Sequence, residues 1–476
     1  MEKPTRFSTF TDDALGNHDA TALGALLKQG EVTPLELTEA AIARAGKAAP
    51  LDAIAYTTFE EARARAERVA AAKTDKSVSH FGLLPSFLKD NVELAGTPLR
   101  FGSNATPRAP WKTDCEMTGH YQEVGMNFLG KSKMPPFGFC CSTEYSDGTP
   151  PTRNPWNTGY TAGGSSGGAA SLVSSGVVPI AHANDGGGSI RIPAAMCGLV
   201  GLKPNRGRLS LREVSKRMPV DIFSDGVLTR SVRDTARFFH AMEGVYPAPY
   251  LTPIGLVEGP SKTRLRIGVY FDSLLTSACP QTREAVQRTA DALENAGHKV
   301  EMTPNPIDQQ FADDFSLYWC FLAFTIDSFG KRTFGEEFNP EGIDPFTIGL
   351  ARQFRTRFWQ LPGALRRLYK AHSSRLARLN GFDATLSPVI ARTTPKLGAL
   401  NPGLPFSELF SKLELFVGYT PLENATGNPA IAIPAGQTEE GLPIGIQLAS
   451  ARGMERRLLE LAFELEELQP WPHLFT

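Results

Sequence analysis

The stretch that decides the fold is GGSSGGAASLVSSGVVPIAHANDGGGSIRIP, residues Gly163–Pro193. It contains two clusters of glycine and serine, GGSSGG at Gly163–Gly168 and DGGGSIRIP at Asp185–Pro193. Small residues over 169–175 predict a helix, and the apolar run Val177–Ala183 predicts a buried strand. The glycines of the second cluster predict a turn after that strand. We therefore expect a helix and a strand framed by two irregular, glycine-rich loops.

Strands and helices alternate on both sides of this stretch. Helices are predicted over about 17–75, over Thr282–Ala296 and through a mostly helical insert at about 309–380. Predicted strands at Arg266–Phe271 and Lys299–Met302 flank the helix Thr282–Ala296 in a β-α-β pattern. Short apolar strands are predicted at Thr385–Ile390, Ala430–Pro434 and Ile444–Leu448. This alternation predicts an α/β core with a mixed sheet. Because strands recur along the whole chain, we expect one domain spanning 1–476.

The composition excludes several classes of protein. Basic and acidic residues number 49 and 50, so nucleic-acid binding over the whole surface is not expected. The six cysteines form no CxxC pair, which indicates a reducing compartment rather than a disulfide scaffold. The N-terminal MEKPTRFSTFTDD lacks the apolar region of a signal peptide, and no run reaches the roughly eighteen apolar residues of a membrane span. These features predict a soluble, cytoplasmic protein without a nucleic-acid or membrane partner.

The second cluster places a serine in a setting suited to a nucleophile. The Walker A loop needs Gly-Lys-Ser/Thr, and the GxGxxG fingerprint is absent in its strand–turn–helix setting. The GxSxG elbow fails because no glycine stands two positions after Ser189. What remains is Ser189 preceded by Gly186, Gly187 and Gly188. Backbone N–H groups of glycines are unobstructed by side chains and can stabilise a developing oxyanion.

A serine nucleophile needs a base, and the sequence offers two candidates. His182 lies seven residues before Ser189 in an apolar strand, where a histidine packed in the core is the more common finding. Lys89, within FLKDN, can act as a base only when it is neutral. Burial and nearby positive charge lower the pKa of a lysine from roughly 10.4 towards about 7–8. From the residues alone, both assignments stay open.

Taken together, these motifs resemble the amidase signature family. GGSSGG, the small-residue helix and DGGGSIRIP carry the resemblance, with FLKDN upstream and GLKP at Gly201–Pro204 downstream. NATGNPA at Asn424–Ala430 and GLPIG at Gly441–Gly445 fit as well, so the similarity covers about residues 20–468. RNPWN at Arg153–Asn157 is similar to actinobacterial amidases and to the 6-aminohexanoate cyclic-dimer hydrolase subgroup. The resemblance implies a central mixed β-sheet covered by helices on both faces.

The family resemblance also implies a reaction, the hydrolysis of amides through a Ser–cis-Ser–Lys triad and an acyl-enzyme. Carried over to this sequence, Ser189 is the nucleophile and Lys89 is the base. Ser165 is the bridging serine, preceded by a cis peptide bond. The N–H groups of the glycines before Ser189 are expected to hold the oxyanion. No metal or organic cofactor is expected.

Three further residues are expected to support this machinery. Asp185 and Arg191 should hold the nucleophile loop together as an ion pair. Ser166 should either hydrogen-bond locally or touch the substrate.

One stretch departs from the wider family. Many relatives have an N-x-x-E-F type of sequence between the positions of Lys131 and Cys141, where this chain has KMPPF followed by GFCC. A polar residue that helps orient the substrate amide in the cyclic-dimer hydrolase is replaced here by Phe139 or Cys140. We therefore expect an apolar pocket that includes Phe139, Cys140, Cys141 and Trp319. Small aryl or alkyl amides are the predicted substrates, rather than the cyclic dimer.

Two other functions stay open at this point. One is the glutaminase subunit of a tRNA-dependent amidotransferase, which would need partner subunits. The other is a binding protein that uses the run 345–382, where eight Arg and Lys residues occur without Asp or Glu. The plainer interpretation of this run is a solvated helical face paired with acidic residues elsewhere. A small amide is the predicted partner, with a homodimer as the candidate assembly.

Overall fold

A computed structural model describes residues 5–71, 80–374, 379 and 381–475 of the chain. The strands, in chain order, are β1 (Ile54–Thr57), β2 (Leu84–Lys89), β3 (Met126–Ser132), β4 (Arg153–Asn154), β5 (Asn157–Thr161), β6 (Ile180–Asp185), β7 (Val200–Lys203), β8 (Ser224–Thr229), β9 (Arg266–Val269), β10 (Lys299–Met302), β11 (Ala384–Pro388), β12 (Ala430–Gln437) and β13 (Pro443–Ser450).

The helices surround these strands. In chain order they are α1 (Ala20–Gln29), α2 (Pro34–Lys47), α3 (Phe59–Ala71), α4 (Glu116–Glu123), α5 (Gly167–Ser174), α6 (Arg191–Cys197), α7 (Glu213–Lys216), α8 (Val232–Val245), α9 (Pro280–Asn295), α10 (Gln309–Phe334), α11 (Pro345–Arg355), α12 (Leu361–Ala371), α13 (Phe406–Phe416), α14 (Pro421–Thr426) and α15 (Glu455–Leu468).

The central sheet has eight strands in the order β10-β9-β11-β13-β12-β7-β8-β6. Strands β10, β9 and β11 run parallel, and the other neighbours pair antiparallel. Parallel neighbours need a crossover, and α9 supplies it between β9 and β10. The predicted mixed sheet and β-α-β unit are therefore confirmed.

Both faces of this sheet are covered. Every residue of β6, β7, β8, β11 and β13 is buried. Because successive side chains of a strand point to opposite faces, burial of all of them requires packing on each face. Helices α6, α8, α9 and α15 pack against these strands and β12. One hydrophobic cluster contains side chains from Leu15 to Trp471.

A second sheet places one strand beside the edge of the central sheet. Its order is β1-β3-β2, with β2 parallel to β3. The Ser86 hydroxyl donates to the Ile180 carbonyl of β6 at 3.0 Å, and the Lys89 N–H donates to His182 Nδ1 at 3.2 Å. The end of β2 is thus fixed next to β6, the strand that leads into the second glycine cluster.

In the N-terminal region a strand forms where the local sequence predicts helix. The prediction of helices throughout 17–75 is wrong at β1, and residues 72–75 lie outside the described residues. β1 pairs with β3, where Gly130 has φ +145° and a Cβ there would lie 2.0 Å from the Tyr56 carbonyl oxygen. Only glycine permits this approach, so pairing with a distant strand overrides the helical surroundings.

The other boundaries shift by a few residues. The strand predicted at Val177–Ala183 is β6, which begins three residues later, at Ile180, and extends to Asp185. The turn predicted after this strand ends where α6 begins at Arg191. The insert at 309–380 is helical at α10, α11 and α12, while residues 375–378 and 380 lie outside the described residues.

Candidate active site

Lys89 ends β2 with its side chain fully buried. Its Nζ lies 2.7 Å from Ser165 Oγ, 2.9 Å from Ser166 Oγ and 2.7 Å from Asn184 Oδ1. The two serines come from the first glycine cluster, and Asn184 comes from β6. The structure therefore brings Lys89 and Ser165 together as predicted. It also places Ser166 in local contact with the amine, within 3.3 Å of the Asn184 carbonyl oxygen.

The surroundings of Lys89 favour a neutral amine. Burial, followed by the nearby positive charge of Arg212, lowers the pKa of Lys89 well below its ordinary value of 10.5. Asp185 and Asp225 oppose this shift but do not outweigh it. A neutral amine carries a lone pair, so Nζ can accept a proton from Ser165. Both conditions stated for a lysine base, burial and neighbouring positive charge, are present.

Ser165 sits in a tightly packed loop before α5. The Gly164–Ser165 peptide bond is cis, as the family resemblance implies. A Cβ at Gly164 would lie 2.8 Å from the Cys140 carbonyl oxygen, so the GFCC segment packs directly on this loop. The Thr143 hydroxyl donates to the Gly163 carbonyl at 2.8 Å and fixes the start of the loop. Ser165 is 3% exposed, which leaves little access of water to its hydroxyl.

The loop that carries Ser189 is folded around the carboxylate of Asp185. Asp185 accepts hydrogen bonds from the N–H groups of Gly188 at 2.7 Å and Ile190 at 3.1 Å. It also accepts from Arg191 Nε at 3.0 Å and Nη2 at 2.9 Å. Burial alone would raise the pKa of Asp185, but the Arg191 charge and hydrogen bonds outweigh it and hold that pKa below the usual range. The predicted ion pair is present.

Arg191 connects this loop to the C-terminal part of the chain. Its guanidinium donates to Glu423 at 3.1 Å, to Gln447 at 2.7 Å and to Asn424 Oδ1 at 2.7 Å. The Asn424 amide in turn donates to the Asp185 carboxylate at 2.9 Å. The NATGNPA motif therefore supports the nucleophile loop. Glu423, Gln447 and this role of Asn424 were missed from the sequence because they depend on contacts across the fold.

The predicted oxyanion hole needs one correction. The Gly188 N–H already donates to Asp185, so the prediction that it serves the oxyanion is wrong. Gly188 has φ +129°, and a Cβ there would lie 2.4 Å from Thr420 Oγ1, so glycine is required for the turn itself. Gly187 lines the pocket, and a Cβ there would be in ordinary contact, 3.7 Å from Trp319. Gly186 and Gly187 remain the candidate donors.

His182 holds Lys89 in place through its ring. Nδ1 accepts the Lys89 N–H, so Nε2 carries the proton and donates to Asp225 at 3.1 Å. Burial lowers the pKa of His182, which keeps the ring neutral. Both nitrogens are thus engaged in joining β2 to β6 and β8. This geometry favours Lys89 over His182 as the base, a choice that the residues alone left open.

A cavity of about 160 Å³ lies beside Ser189. Phe139, Cys140, Cys141 and Trp319 all line it, as predicted. The rings of Phe139 and Trp319 meet edge to face at 5.4 Å. Helices α11 and α13 also contribute apolar side chains, which sequence reasoning missed because nothing local marks them. The pocket is predominantly apolar.

The two pocket cysteines are poor nucleophiles. Burial raises the pKa of Cys140 to about 11 and that of Cys141 well above its ordinary value. Only a thiolate is strongly nucleophilic, so both act as small apolar wall residues.

Within the described ranges, His, Cys, Asp and Glu side chains form no group of three or more that could hold a metal ion. Among the same residues, none of the helices is both long enough and apolar enough to cross a bilayer.

The basic run 345–382 carries ion pairs. Arg355 pairs with Asp327 at 2.5 Å, and Arg367 pairs with Asp314 at 2.6 Å, both acidic partners lying on α10. Arg375 and Arg378 lie outside the described residues. These pairs favour the interpretation of a solvated face whose charges are balanced by neighbouring acidic residues.

Comparison with known proteins agrees with this geometry. The family model described as Amidase matches residues 36–459. The chain is 44% identical over 472 residues to a putative amidase AmiC of Mycobacterium tuberculosis, covering 99% of this chain and 98% of the relative. It is 30% identical over 485 residues to a 6-aminohexanoate-cyclic-dimer hydrolase of Paenarthrobacter ureafaciens, covering 95% of each.

The fold is similar to a solved structure as well. The structure of 6-aminohexanoate cyclic dimer hydrolase complexed with substrate superposes with a TM-score of 0.85 at 28% identity, over 98% of this chain and 100% of the other. The match extends through the central sheet and the helical insert alike, since nearly the whole chain is covered. The chain belongs to the amidase family and is an amide-hydrolysing enzyme.

Proposed function

We propose that this enzyme hydrolyses small aryl or alkyl carboxamides through an acyl-enzyme on Ser189, with Ser165 as the proton bridge and Lys89 as the base. The observation that carries the proposal is the 2.7 Å contact between Lys89 Nζ and Ser165 Oγ, made by a fully buried lysine of lowered pKa. Ser189 opens on the same cavity as Gly164, the residue before the bridging serine.

The proposed reaction begins with two proton transfers. Neutral Lys89 accepts the proton of Ser165, and Ser165 accepts that of Ser189, whose Oγ attacks the amide carbonyl carbon. The N–H groups of Gly186 and Gly187 stabilise the negative charge that develops on the carbonyl oxygen. Ser165 then returns a proton to the leaving nitrogen, and the C–N bond breaks. Water hydrolyses the ester on Ser189 and regenerates the hydroxyl.

The pocket supports the choice of substrate class. Aromatic and aliphatic side chains surround the cavity beside Ser189, so an aryl or alkyl group is buried there with a gain of roughly 25 cal/mol per Å² of apolar surface. The cyclic-dimer hydrolase is a relative, but Phe139 and Cys140 contribute apolar groups to the wall of this pocket. We therefore propose simpler amides as substrates.

The two alternatives have less support. A glutaminase site must bind the charged α-amino and α-carboxylate groups of glutamine, and the cavity walls are mainly apolar. A binding role for the run 345–382 is weakened by the ion pairs of Arg355 and Arg367.

The test measures ammonia release from benzamide, propionamide and glutamine. We expect release from the first two, lost in Ser189→Ala. The matched control is Ser174→Ala. Ser174 is another buried serine, but it does not line the cavity, and its hydroxyl donates to the Cys197 carbonyl at 2.8 Å. Release from glutamine alone, or unchanged release by Ser189→Ala, would contradict the proposal.

A further inference from the structure

Two helices, α10 and α13, line the cavity with similar stripes of side chains. On α13 and its C-terminal end the lining residues are Phe410, Leu413, Glu414 and Val417. Their spacing of three, one and three positions places them on one helical face. Such a stripe normally carries apolar residues throughout, and here a carboxylate occupies one of its positions.

The stripe of lining residues on α10 also contains one polar residue. Its lining residues are Phe311, Ala312, Phe315, Ser316 and Trp319. The Ser316 hydroxyl lies 3.4 Å from Glu414 Oε1 and donates to it. The two polar residues are therefore in contact in the cavity wall. Among the described residues that line it, Glu414 is the only one with a charged side chain.

Glu414 lines the cavity, but its side chain is exposed to solvent. Partial desolvation raises the pKa of Glu414, the Ser316 hydrogen bond opposes the rise, the negative charge of Asp313 adds to it, and the positive charge of Arg357 opposes it. The Arg357 guanidinium donates to Gln360 Oε1 at 3.0 Å and is thus directed to its own segment. A carboxylate in an otherwise apolar wall attracts a cationic group that enters the cavity.

We propose that Glu414 and Ser316 form a subsite for a positively charged amine of the substrate. This proposal rests on the proposed amidase function and narrows its substrate class. Preferred substrates are amides whose apolar body, held by the aromatic walls, carries a protonated amine at the end remote from the scissile carboxamide. The same carboxylate repels substrates that carry an anionic group at that end.

The test compares three benzamides that differ only in the para substituent. These are 4-(aminomethyl)benzamide, 4-ethylbenzamide and 4-(carboxymethyl)benzamide, assayed at pH 8, where the substrate amine is mainly protonated and the substrate carboxylate is ionised. We expect kcat/KM to fall in the order amine, neutral, acid. In Glu414→Gln the ratio of kcat/KM for the amine to that for the neutral amide should fall about five- to tenfold, mainly through KM. Ser316→Ala should lower it less.

Glu408→Gln is the matched control. Glu408 lies on the same helix but is absent from the cavity wall and pairs with Lys412 at 2.6 Å. Its removal should leave the amine-to-neutral ratio unchanged. An unchanged ratio in Glu414→Gln, or an equal fall in Glu408→Gln, would overturn the subsite.

A binding measurement separates this inference from the proposed function. Calorimetry with the Ser189→Ala protein should show 4-(aminomethyl)benzamide binding about fivefold more tightly than 4-ethylbenzamide, and Ser189→Ala/Glu414→Gln should lose the preference. If the amine binds more tightly than the neutral amide but the wild type turns over neither, the proposed hydrolysis of aryl amides is overturned and the subsite is retained. Turnover without the preference would overturn the subsite alone.

Discussion

The catalytic loops and the pocket wall are built in opposite ways. Around Asp185 and Arg191 the loops are held by buried, charged hydrogen bonds that tolerate one arrangement of residues. The pocket wall consists mainly of aromatic and aliphatic side chains that fill space, as the edge-to-face contact of Phe139 with Trp319 shows. The difference teaches that the catalytic loops depend on the identity of a few charged residues, whereas most of the pocket wall depends on side-chain shape and packing.

The largest effect on turnover is expected when the proposed base, Lys89, is replaced. Lys89→Met should lower kcat by about 10²- to 10⁴-fold, since Ser165 loses its proton acceptor. Steady-state assays on benzamide measure this. Lys131→Met is the control, because Lys131 is another buried lysine whose Nζ donates to the Val92 carbonyl at 2.6 Å. Near-normal turnover by Lys89→Met, or an equal loss in Lys131→Met, would remove Lys89 from the proposed role.

The same substitution has a predictable effect on stability. A lysine whose pKa is lowered on folding disfavours the folded state at pH values below the unfolded pKa of 10.5, because the unfolded chain binds the proton more tightly. Relative to the wild type, Lys89→Met should therefore gain free energy of unfolding as the pH falls below about 10.5. Denaturant titrations at several pH values measure this. A difference that does not change with pH would contradict a lowered pKa.

The next largest effect concerns the stability of the loops. Arg191→Met leaves Asp185 and Glu423 buried without their common partner, so the free energy of unfolding should fall by about 3–5 kcal/mol. Arg355→Met is the control, because Arg355 is exposed and its pair with the half-buried Asp327 is expected to contribute less than about 1 kcal/mol. Urea denaturation measures both. Equal losses in the free energy of unfolding would show that burial does not make the Arg191 ion pairs more stabilising than the Arg355 pair.

Loss of an aromatic wall residue should affect selectivity rather than chemistry. Trp319→Ala enlarges the cavity and removes the contact with Phe139, so KM for benzamide should rise about tenfold relative to KM for propionamide. Trp359→Ala is the control, since Trp359 is 63% exposed and lies outside that cavity. If both amides respond equally to Trp319→Ala, the wall does not determine the preference for aryl groups.

The smallest effect on turnover is expected at His182, which hydrogen-bonds to the backbone of Lys89. His182→Ala removes a hydrogen bond to the Lys89 backbone but leaves the amine in place, so kcat should stay within about tenfold of the wild type. A collapse of kcat with an unchanged melting temperature would favour a serine–histidine arrangement. Kinetics and thermal denaturation of one preparation decide between these outcomes.

The same contrast explains what the sequence could predict. Ser165, Ser189 and Lys89 stand in short motifs whose residue types are demanded by chemistry, and the structure brings Lys89 and Ser165 together. The Asp185–Arg191 ion pair was predictable because both ends lie in one motif.

Other features depend on distant contacts and left no local signal. β1 forms because Gly130 of β3 admits the Tyr56 carbonyl, and no pattern near Ile54–Thr57 indicates this pairing. The Gly188 N–H was predicted to face the substrate, but Asp185 binds it within the loop. Glu414 was not predicted as a wall residue, because only the packing of α13 against the cavity places it there.

The central claim is that Ser189 carries the acyl group, and covalent trapping tests it most directly. The enzyme is mixed with 4-nitrophenyl benzoate, quenched with acid within milliseconds to seconds, and digested for peptide mass spectrometry. Our account predicts a benzoyl adduct on Ser189 that appears before product release and is absent from Ser189→Ala. An adduct on Ser165, on Cys140 or on Cys141 in place of Ser189, or turnover by Ser189→Ala, would contradict it.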